Sequence, residues 1–390
     1  MLGVAQRDAG SLRLRFCSCA PPFSWSWLLK LRWDIFCRVV DNFGDIGVCW
    51  RLCCQLAAAG QQVRLWVDDP AALAWMAPQG CPGVSVHARL VPGAGYRPAD
   101  VLVSAFDAQL DGSVIEAIAQ ANADAGAGER VLWIGLEYLS AEPYVERSHG
   151  LASPVHGGAH RGVHKWLYFP GFTPASGGLP REQNLLERQS AFERSDWLAR
   201  QGIAWQGEPL VSLFCYEPPA LLPLLRALDA AGARLLVTAG RAGQAVREAL
   251  AGLPAGAALR RRLDFLPLLS QEDYDHLLWS CDLNAVRGED SLVRALWAGT
   301  GLLWQAYPQA DQAHHDKLLA FLDWLQAPPA LRHLHQAWNG AALWPDGGLR
   351  ERARGLDWAG WRACVAAARE RLLLQEGLAA RLLRFVAENR

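Results

Sequence analysis

Short apolar segments rich in β-branched residues alternate along the chain with longer segments whose apolar residues recur at helical spacing. This alternation is typical of a parallel β-sheet whose strands are connected by helices, and it occurs twice. In the first half it predicts strands near Trp33–Val40, Val63–Val67, Val84–Leu90, Val101–Ala105 and Val131–Gly135. In the second half it predicts strands near Leu210–Cys215, Arg234–Thr238, Leu263–Leu266, Asp282–Val286 and Gly301–Gln305.

Two such units predict an α/β protein of two doubly wound, Rossmann-like domains that face each other across a cleft. We expect residues 33–195 to form the first domain and residues 196–371 the second. The stretch from Tyr144 to Pro180 is rich in Gly, His and Pro, which predicts a long ordered loop leading to a hinge. The segment Trp358–Glu388 has helical period, and we expect a C-terminal helix, residues 372–390, to pack back on the first domain.

Residues 1–32 do not follow this pattern. They show neither strand nor helix period, and they lack the uninterrupted apolar segment and the cleavage site of a signal peptide. We therefore expect a dispensable N-terminal extension, either disordered or the product of a start codon placed too far upstream. No apolar run reaches the roughly 18 residues that a membrane span needs, so we expect no membrane association.

Composition bears on one class of partner and on the state of the cysteines. The 38 basic and 39 acidic residues give a net charge of −1, which does not favour nucleic acid as a partner. Ten cysteines without regular spacing indicate reduced thiols and a cytoplasmic protein.

Two clusters of possible metal ligands have simpler explanations. Helical spacing in an apolar segment predicts buried thiols in the first cluster, and intervening glycines predict a loop in the second. These clusters are Cys49, Cys53 and Cys54, and His156, His160 and His164.

Two carboxylates follow the first predicted strand, in the loop Asp41–Gly47 that precedes a helix predicted from about Val48 to Ala59. Ligands of open parallel sheets bind beyond the carboxyl ends of the strands, so this loop should open onto the cleft. Asp41 or Asp45 can simply cap the helix. Alternatively, an unpaired carboxylate beside glycines that admit a ligand is a candidate general base.

A second loop, Arg287–Ser291, follows the strand Asp282–Val286 and precedes a helix that should end at Ala298, before Gly299. Free N–H groups of a helix start, the helix dipole and an arginine together suit a phosphate or diphosphate. The alternative is a surface helix capped by Asp290 or Ser291. The chain lacks the glycine-rich motifs of dinucleotide oxidoreductases and P-loop NTPases, which disfavours both classes.

Five motifs occur in order across both predicted domains: Trp33–Cys37, Asp41–Gly47, Phe169–Phe172, Gly177–Leu179 and Arg287–Ser291. Together they resemble the EarP family of bacterial protein-arginine rhamnosyltransferases, and the resemblance extends from Trp33 to Arg390. It implies a GT-B glycosyltransferase that moves L-rhamnose from dTDP-β-L-rhamnose to an arginine of translation elongation factor P. The anomeric centre would invert, and no metal or further cofactor is implied.

The resemblance also implies roles for individual residues. Asp45 matches the general base, Asp41 its companion aspartate, and Glu289 an acidic residue of the other domain that activity requires. The donor would be bound by Asn42, Phe43, Gly44, Tyr216, Gln271, Arg287, Gly288, Glu289, Asp290 and Ser291.

The chemistry is consistent with these roles. Guanidinium has a pKa above about 12, so we expect Asp45 to orient it and to accept its proton only as the new bond forms. Two alternatives remain. A related nucleotide-sugar enzyme with a small-molecule acceptor would keep the Arg287–Ser291 loop. A non-catalytic protein-binding module would have no reason to place acidic loops at both facing strand ends.

Overall fold

The computed structural model describes residues 30–39, 43–93, 95–106, 108–126, 129–155, 163–345 and 356–390. Several predicted features therefore lie outside the described residues: nearly all of the N-terminal extension, Asp41, Asn42, His156 and His160.

The first unit is a seven-stranded sheet. Its strands are β1 (Arg32–Cys37), β2 (Gln62–Val67), β3 (Val84–Ala88), β4 (Val101–Ala105), β5 (Leu132–Leu136), β6 (Ala152–Pro154) and β7 (His164–Tyr168). The order is β3-β2-β1-β4-β5-β7-β6, and all pairs are parallel except the antiparallel pair of β6 and β7. Its helices are α1 (Gly44–Ala58), α2 (Leu73–Met76), α3 (Gly112–Asp124) and α4 (Tyr144–Ser148).

The second unit is a five-stranded parallel sheet. Its strands are β8 (Leu210–Leu213), β9 (Arg234–Val237), β10 (Leu263–Phe265), β11 (Leu283–Arg287) and β12 (Gly301–Gln305), in the order β10-β9-β8-β11-β12. Eight helices follow in chain order: α5 (Leu185–Ser190), α6 (Arg194–Arg200), α7 (Leu221–Ala230), α8 (Arg241–Ala249), α9 (Gln271–Ser280), α10 (Glu289–Ala298), α11 (Ala313–Leu325) and α12 (Pro329–Trp338). Two C-terminal helices, Trp358–Leu373 and Leu378–Asn389, complete the chain.

The central strands of both sheets are buried on both faces, as those of parallel sheets are. In β1, Trp33 and Ile35 pack with α1 in one core, whereas Phe36 packs with α3 in another. In each sheet the strand order reverses beside the first strand of the unit, at β1 and β4 and again at β8 and β11. Ligand sites form at such switch points, so the loops after these four strands are the ones that matter.

Within the described residues, no helix combines the length and apolar character that a bilayer span requires.

All ten predicted strands are present, with ends that differ by at most three residues from the prediction. The long loop predicted from Tyr144 to Pro180 is wrong, because this stretch contains α4, β6 and β7. Strand β7 pairs with β5, and its polar first residues, His164 and Lys165, conceal it in the sequence. The helix predicted from Val48 begins at Gly44 instead. Gly44 and Gly47 suggested a loop there. The burial of Ile46 stabilises a helix instead, and the Gly47 N–H makes its first hydrogen bond, to the Phe43 carbonyl at 3.0 Å.

The C-terminal segment divides between the two cores. Trp361, Val365 and Leu372 pack against the second sheet. After a break at Leu374–Gly377, the helix Leu378–Asn389 packs in the core of β1, so the helix that covers the first sheet begins at Leu378 rather than at residue 372.

The chain also changes core between β7 and α5, and the side chain of Leu139, which follows β5, already packs in the core of the second sheet. Tyr168 belongs to the core of the first sheet, whereas Phe172, Leu179 and Leu185 belong to that of the second. The packing therefore changes upstream of residue 195, where the domain limit was predicted.

The two segments in which the chain passes from one core to the other, around Gly178 and at residues 374–377, run side by side. The Leu378 N–H donates to the Leu179 carbonyl at 2.8 Å, and the Arg181 guanidinium donates to the Gln375 carbonyl, also at 2.8 Å. Gly178 lies between them with φ +76°, and a Cβ atom there would lie 2.8 Å from the carbonyl oxygen of Glu376. This close approach of two backbones explains a glycine at position 178.

We expect Gly178→Ala to destabilise the protein more than Gly60→Ala, as measured by urea denaturation. Both glycines have positive φ, but a Cβ at Gly60 would meet no atom within 4 Å. The control therefore isolates the roughly 1–2 kcal/mol of the left-handed conformation. Gly178→Ala adds the clash with the second crossing, and equal losses would contradict this reading.

Candidate active site

The loops that follow β1 and β11 meet across the cleft. The Gln271 side-chain amide, at the start of α9, donates to the Gly47 carbonyl in the first turn of α1 at 3.0 Å. A Cβ at Gly47 would lie 3.5 Å from Oδ2 of Asp290 on α10. The structure thus brings together the two loops that the sequence suggested as separate candidates.

Asp45 is the second residue of α1 and is half-buried. The residue at the N-cap position is Phe43, whose side chain makes no capping hydrogen bond, so Asp45 is not the N-cap residue. A carboxylate in the first turn of a helix is stabilised by the helix dipole. Phe43 is half exposed, and its ring lies edge-on to Trp75 with 5.5 Å between centroids.

Arg287 is the last residue of β11, and its guanidinium is held between two aromatic rings. It lies 4.4 Å from the centroid of Phe214 and 4.3 Å from that of Tyr216. Burial lowers the pKa of Arg287. Gly288 follows with φ +67° as the N-cap residue of α10, so neither Asp290 nor Ser291 caps this helix.

Tyr216 lies beside Arg287 and is almost fully buried. Its backbone N–H donates to Oε1 of Gln305 at 2.8 Å, and its ring meets Tyr307 edge-on at 5.6 Å. Burial raises the pKa of Tyr216 to about 12, although Arg287 and Arg241 oppose the shift. Arg241 begins α8, so two arginines and two helix starts surround this tyrosine.

Glu289 connects the two walls of the cleft. One carboxylate oxygen accepts the backbone N–H of Leu139, in the segment after β5, at 2.7 Å. The other pairs with the ammonium of Lys317 on α11. The negative charge that would otherwise repel a diphosphate is therefore compensated by a lysine.

Three further predicted donor ligands lie on α9 and α10, and two of them, Gln271 and Asp290, face the first unit. Gln271 contacts Gly47, as described above, and Ser291 is buried. Asp290 Oδ1 lies 3.6 Å from Nε of Arg51, and burial raises the pKa of Asp290 while Arg51 opposes the increase. In this structure the polar atoms of Gln271 and Asp290 contact the first unit, and their contacts with a donor stay a prediction.

A buried charge network surrounds Arg51, which lies on α1. Its guanidinium donates to Asp275 on α9 at 3.2 Å and to Glu182 at 3.2 Å. Arg294 on α10 donates to the same two carboxylates, at 2.6 Å to Asp275 and 2.8 Å to Glu182. Arg51, Asp275 and Arg294 are each less than a tenth exposed, so the network excludes water from the contact between the two units.

The charges in this network balance. Arg188 lies 3.7 Å from Glu182 and 3.8 Å from Asp275, which makes three arginines for three carboxylates. Burial alone would raise the pKa of Glu182, but Arg294 and Arg51 outweigh it and hold that pKa well below its usual range. Every carboxylate of the set has at least one arginine within 4 Å.

In the described part of the chain, no three His, Cys, Asp or Glu side chains lie close enough together to bind a metal ion. Cys49 and Cys53 are buried free thiols on α1. A hydrogen bond to Cys37 and burial raise the pKa of Cys49, and burial raises that of Cys53. These thiols behave as small apolar side chains.

The family can now be established. The family model described as Elongation-Factor P (EF-P) rhamnosyltransferase EarP matches residues 33–387, which include both walls of the cleft. This chain belongs to the EarP family. The match confirms the resemblance inferred from the five motifs.

Individual relatives agree with the EarP assignment. The chain is 42% identical to the protein-arginine rhamnosyltransferase of Pseudomonas aeruginosa over 386 residues, covering 91% of this chain and 99% of that protein. It is 34% identical to that of Neisseria meningitidis over 311 residues, covering 74% and 77%.

Solved structures agree as well. An EarP structure concerned with arginine glycosylation of translation elongation factor EF-P is 33% identical, covers 93% of this chain and 100% of that chain, and has a TM-score of 0.60. The glycosyltransferase SsfS6 of Streptomyces sp. SF2575, complexed with thymidine diphosphate, covers 92% and 99% at 10% identity and a TM-score of 0.51, which bears on the fold alone. The predicted GT-B fold is confirmed.

Sequence reasoning about this EarP-family chain missed residues of two kinds. Arg241 had a usable signal, because Gly240-Arg241 follows a strand and opens a helix much as Arg287 and Gly288 do. Lys317 also stood out, as one of three lysines among 38 basic residues. The network around Arg51 had no signal, since single charges on amphipathic helices usually face solvent.

We expect Arg51→Met to lower the free energy of unfolding by about 3–5 kcal/mol, because it leaves buried carboxylates without their partner. Arg362→Met is the matched control. Arg362 pairs with Asp282 at 2.9 Å, but its side chain is 54% exposed, so the loss should stay within about 1 kcal/mol. Urea denaturation compares the two variants, and similar losses would refute the role of the network.

Proposed function

We propose that this EarP-family enzyme transfers L-rhamnose from dTDP-β-L-rhamnose to an arginine side chain of translation elongation factor EF-P, with inversion at the anomeric carbon. The observation that carries the proposal is the family match over residues 33–387. The relatives named protein-arginine rhamnosyltransferase support the sugar and the acceptor residue. The resemblance stated above supplies the nucleotide and the acceptor protein.

On the acceptor side, Asp45 acts as the base. A guanidinium nitrogen attacks the anomeric carbon while the bond from that carbon to the diphosphate oxygen breaks. The nitrogen becomes far more acidic as its bond to carbon forms, so Asp45 accepts the proton during the step rather than before it. A single displacement requires acceptor and leaving group on opposite faces of the sugar, and a cleft between two domains allows this.

On the donor side, the second unit stabilises the departing nucleoside diphosphate. Arg287 and Arg241 supply positive charge, and the starts of α8 and α10 supply free N–H groups and the positive ends of helix dipoles. Charge that develops on the leaving group is stabilised most by groups that are already oriented. Arg287 is oriented in this way, because its guanidinium packs on the rings of both Phe214 and Tyr216.

Glu289 serves the acceptor rather than the diphosphate. Its contact with the Leu139 N–H places it against the segment that follows β5 of the first sheet, and Lys317 balances part of its charge. Together with Asp45, a second carboxylate from the other unit can hold a planar cation that has N–H donors on several edges. Glu289 and Asp45 would then orient the guanidinium from the two walls.

The function is tested by incubating the enzyme with purified EF-P and dTDP-β-L-rhamnose, followed by mass spectrometry of the acceptor and of its arginine-containing peptide. We expect EF-P to gain the mass of one deoxyhexose on arginine. Unmodified EF-P would refute the proposal, and modification of a small acceptor alone would favour the alternative enzyme.

We expect Asp45→Asn to lower turnover by roughly 10²–10⁴-fold while dTDP affinity and melting temperature stay unchanged, because only proton transfer is lost. Asp124→Asn, an exposed aspartate at the end of α3, is the control and should react at the wild-type rate. Initial rates of EF-P modification decide the point, and a wild-type rate for Asp45→Asn would remove Asp45 as the base.

We expect Arg287→Ala to weaken dTDP binding by roughly 10- to 150-fold, the equivalent of about 1.5–3 kcal/mol for a charge-assisted contact. Isothermal titration calorimetry measures this directly. Arg332→Ala removes an arginine that pairs with Asp323 on the surface, and it should bind dTDP as the wild type does. If Arg287→Ala bound dTDP with unchanged affinity, the loop would not be the diphosphate site.

A further inference from the structure

Two aromatic residues stack at the carboxyl end of the first sheet. Phe106 directly follows β4, and Tyr138 lies two residues beyond β5. Their ring centroids are 4.9 Å apart and their planes differ by 25°. Phe106 packs against the core of the first sheet, whereas Tyr138 is 37% exposed, so the pair presents one ring to the surface.

The backbone at Phe106 is unusual. Its φ of +58° lies in the left-handed region, which only two other non-glycine residues of the described segments adopt. A bulky side chain is disfavoured there, and such strain persists where the surrounding structure fixes it. Here the Phe106 N–H donates to the Leu136 carbonyl, which ties the end of β4 to the end of β5 and places the two rings together.

Strand register locates this pair relative to the reacting groups. Ala105 pairs with Cys37 on one side and with Leu136 on the other, so β1, β4 and β5 leave the sheet side by side. Neighbouring strands are about 5 Å apart. Strand β1 leads to the helix start that carries Asp45, and β5 leads through Tyr138 to Leu139, whose N–H binds Glu289.

We propose that Tyr138, supported by Phe106, is the surface on which the guanidinium of the acceptor arginine stacks. The inference rests on the proposed function, and it adds a binding surface for the acceptor group. A guanidinium is planar and weakly hydrated, so it stacks well on aromatic rings while its edges donate to carboxylates. Tyr138 would hold the face of the cation, and Asp45 and Glu289 its edges.

The other wall of the cleft supports this choice of ligand. There the protein's own Arg287 lies 4.3 Å from the ring centroid of Tyr216, so a stacked guanidinium already occurs at this site. The arginines that suit an anionic diphosphate, Arg241 and Arg287, belong to the second unit. Tyr138, next to the residue that contacts Glu289, suits a cation instead.

The test compares Tyr138→Ala and Tyr138→Phe in steady-state kinetics with EF-P and dTDP-β-L-rhamnose. We expect Tyr138→Ala to raise the KM for EF-P by roughly 2- to 30-fold, in line with a cation–π contact, with dTDP affinity and melting temperature unchanged. Tyr138→Phe keeps the ring and should restore most of the acceptor affinity. Leu186→Ala, which truncates another exposed apolar side chain, is the surface control.

A binding cycle isolates the guanidinium. The Asp45→Asn enzyme, with and without Tyr138→Ala, is titrated with EF-P and with EF-P whose acceptor arginine is replaced by methionine. Tyr138→Ala should weaken binding of the arginine protein only. An equal loss for both proteins, or a rise in the KM for the donor instead, would overturn the proposal. Wild-type enzyme that leaves EF-P unmodified would refute the proposed function, which is a separate outcome.

Discussion

The arrangement of the site depends on one buried arginine. Arg51 is the member of the charge network that comes from the first unit, and it faces Glu182, Asp275 and Asp290 of the second. Charges removed from water must be paired closely, because an unpaired one costs several kcal/mol. This requirement fixes α1 against α9 and α10, where simple apolar contact would tolerate sliding.

The same helices carry both the interface and the site. Asp45 and Arg51 lie on α1, and Glu289 and Arg294 lie on α10. Pairing Arg51 and Arg294 through Asp275 therefore sets the distance and angle between two helix starts, each with a carboxylate in its first turn. Precise placement of reacting groups is a large part of catalysis, so a contact remote from the chemistry contributes to it.

The sequence predicted whatever was encoded locally. Ten strands follow from runs of apolar residues, and the turn at Gly288 follows from its place between a strand and a helix. Strand β7 was missed because its first residues are polar. It forms because its backbone pairs with β5, and this pairing leaves no apolar pattern in the sequence. Glu289 contacts Leu139 and Lys317, which are far from it in the chain. Local sequence patterns do not predict contacts of this kind.

The adjacent crossings limit how this molecule can move. The chain passes between the cores near Gly178 and again at Leu374–Gly377, and hydrogen bonds join the two passages. The two units are therefore joined by two connections that lie side by side. A double connection of this kind opposes twisting of one unit against the other more strongly than a single connection would. Any movement of one unit against the other must bend both passages at the same time, and it is opposed by the ion pairs that Arg51 makes across the interface.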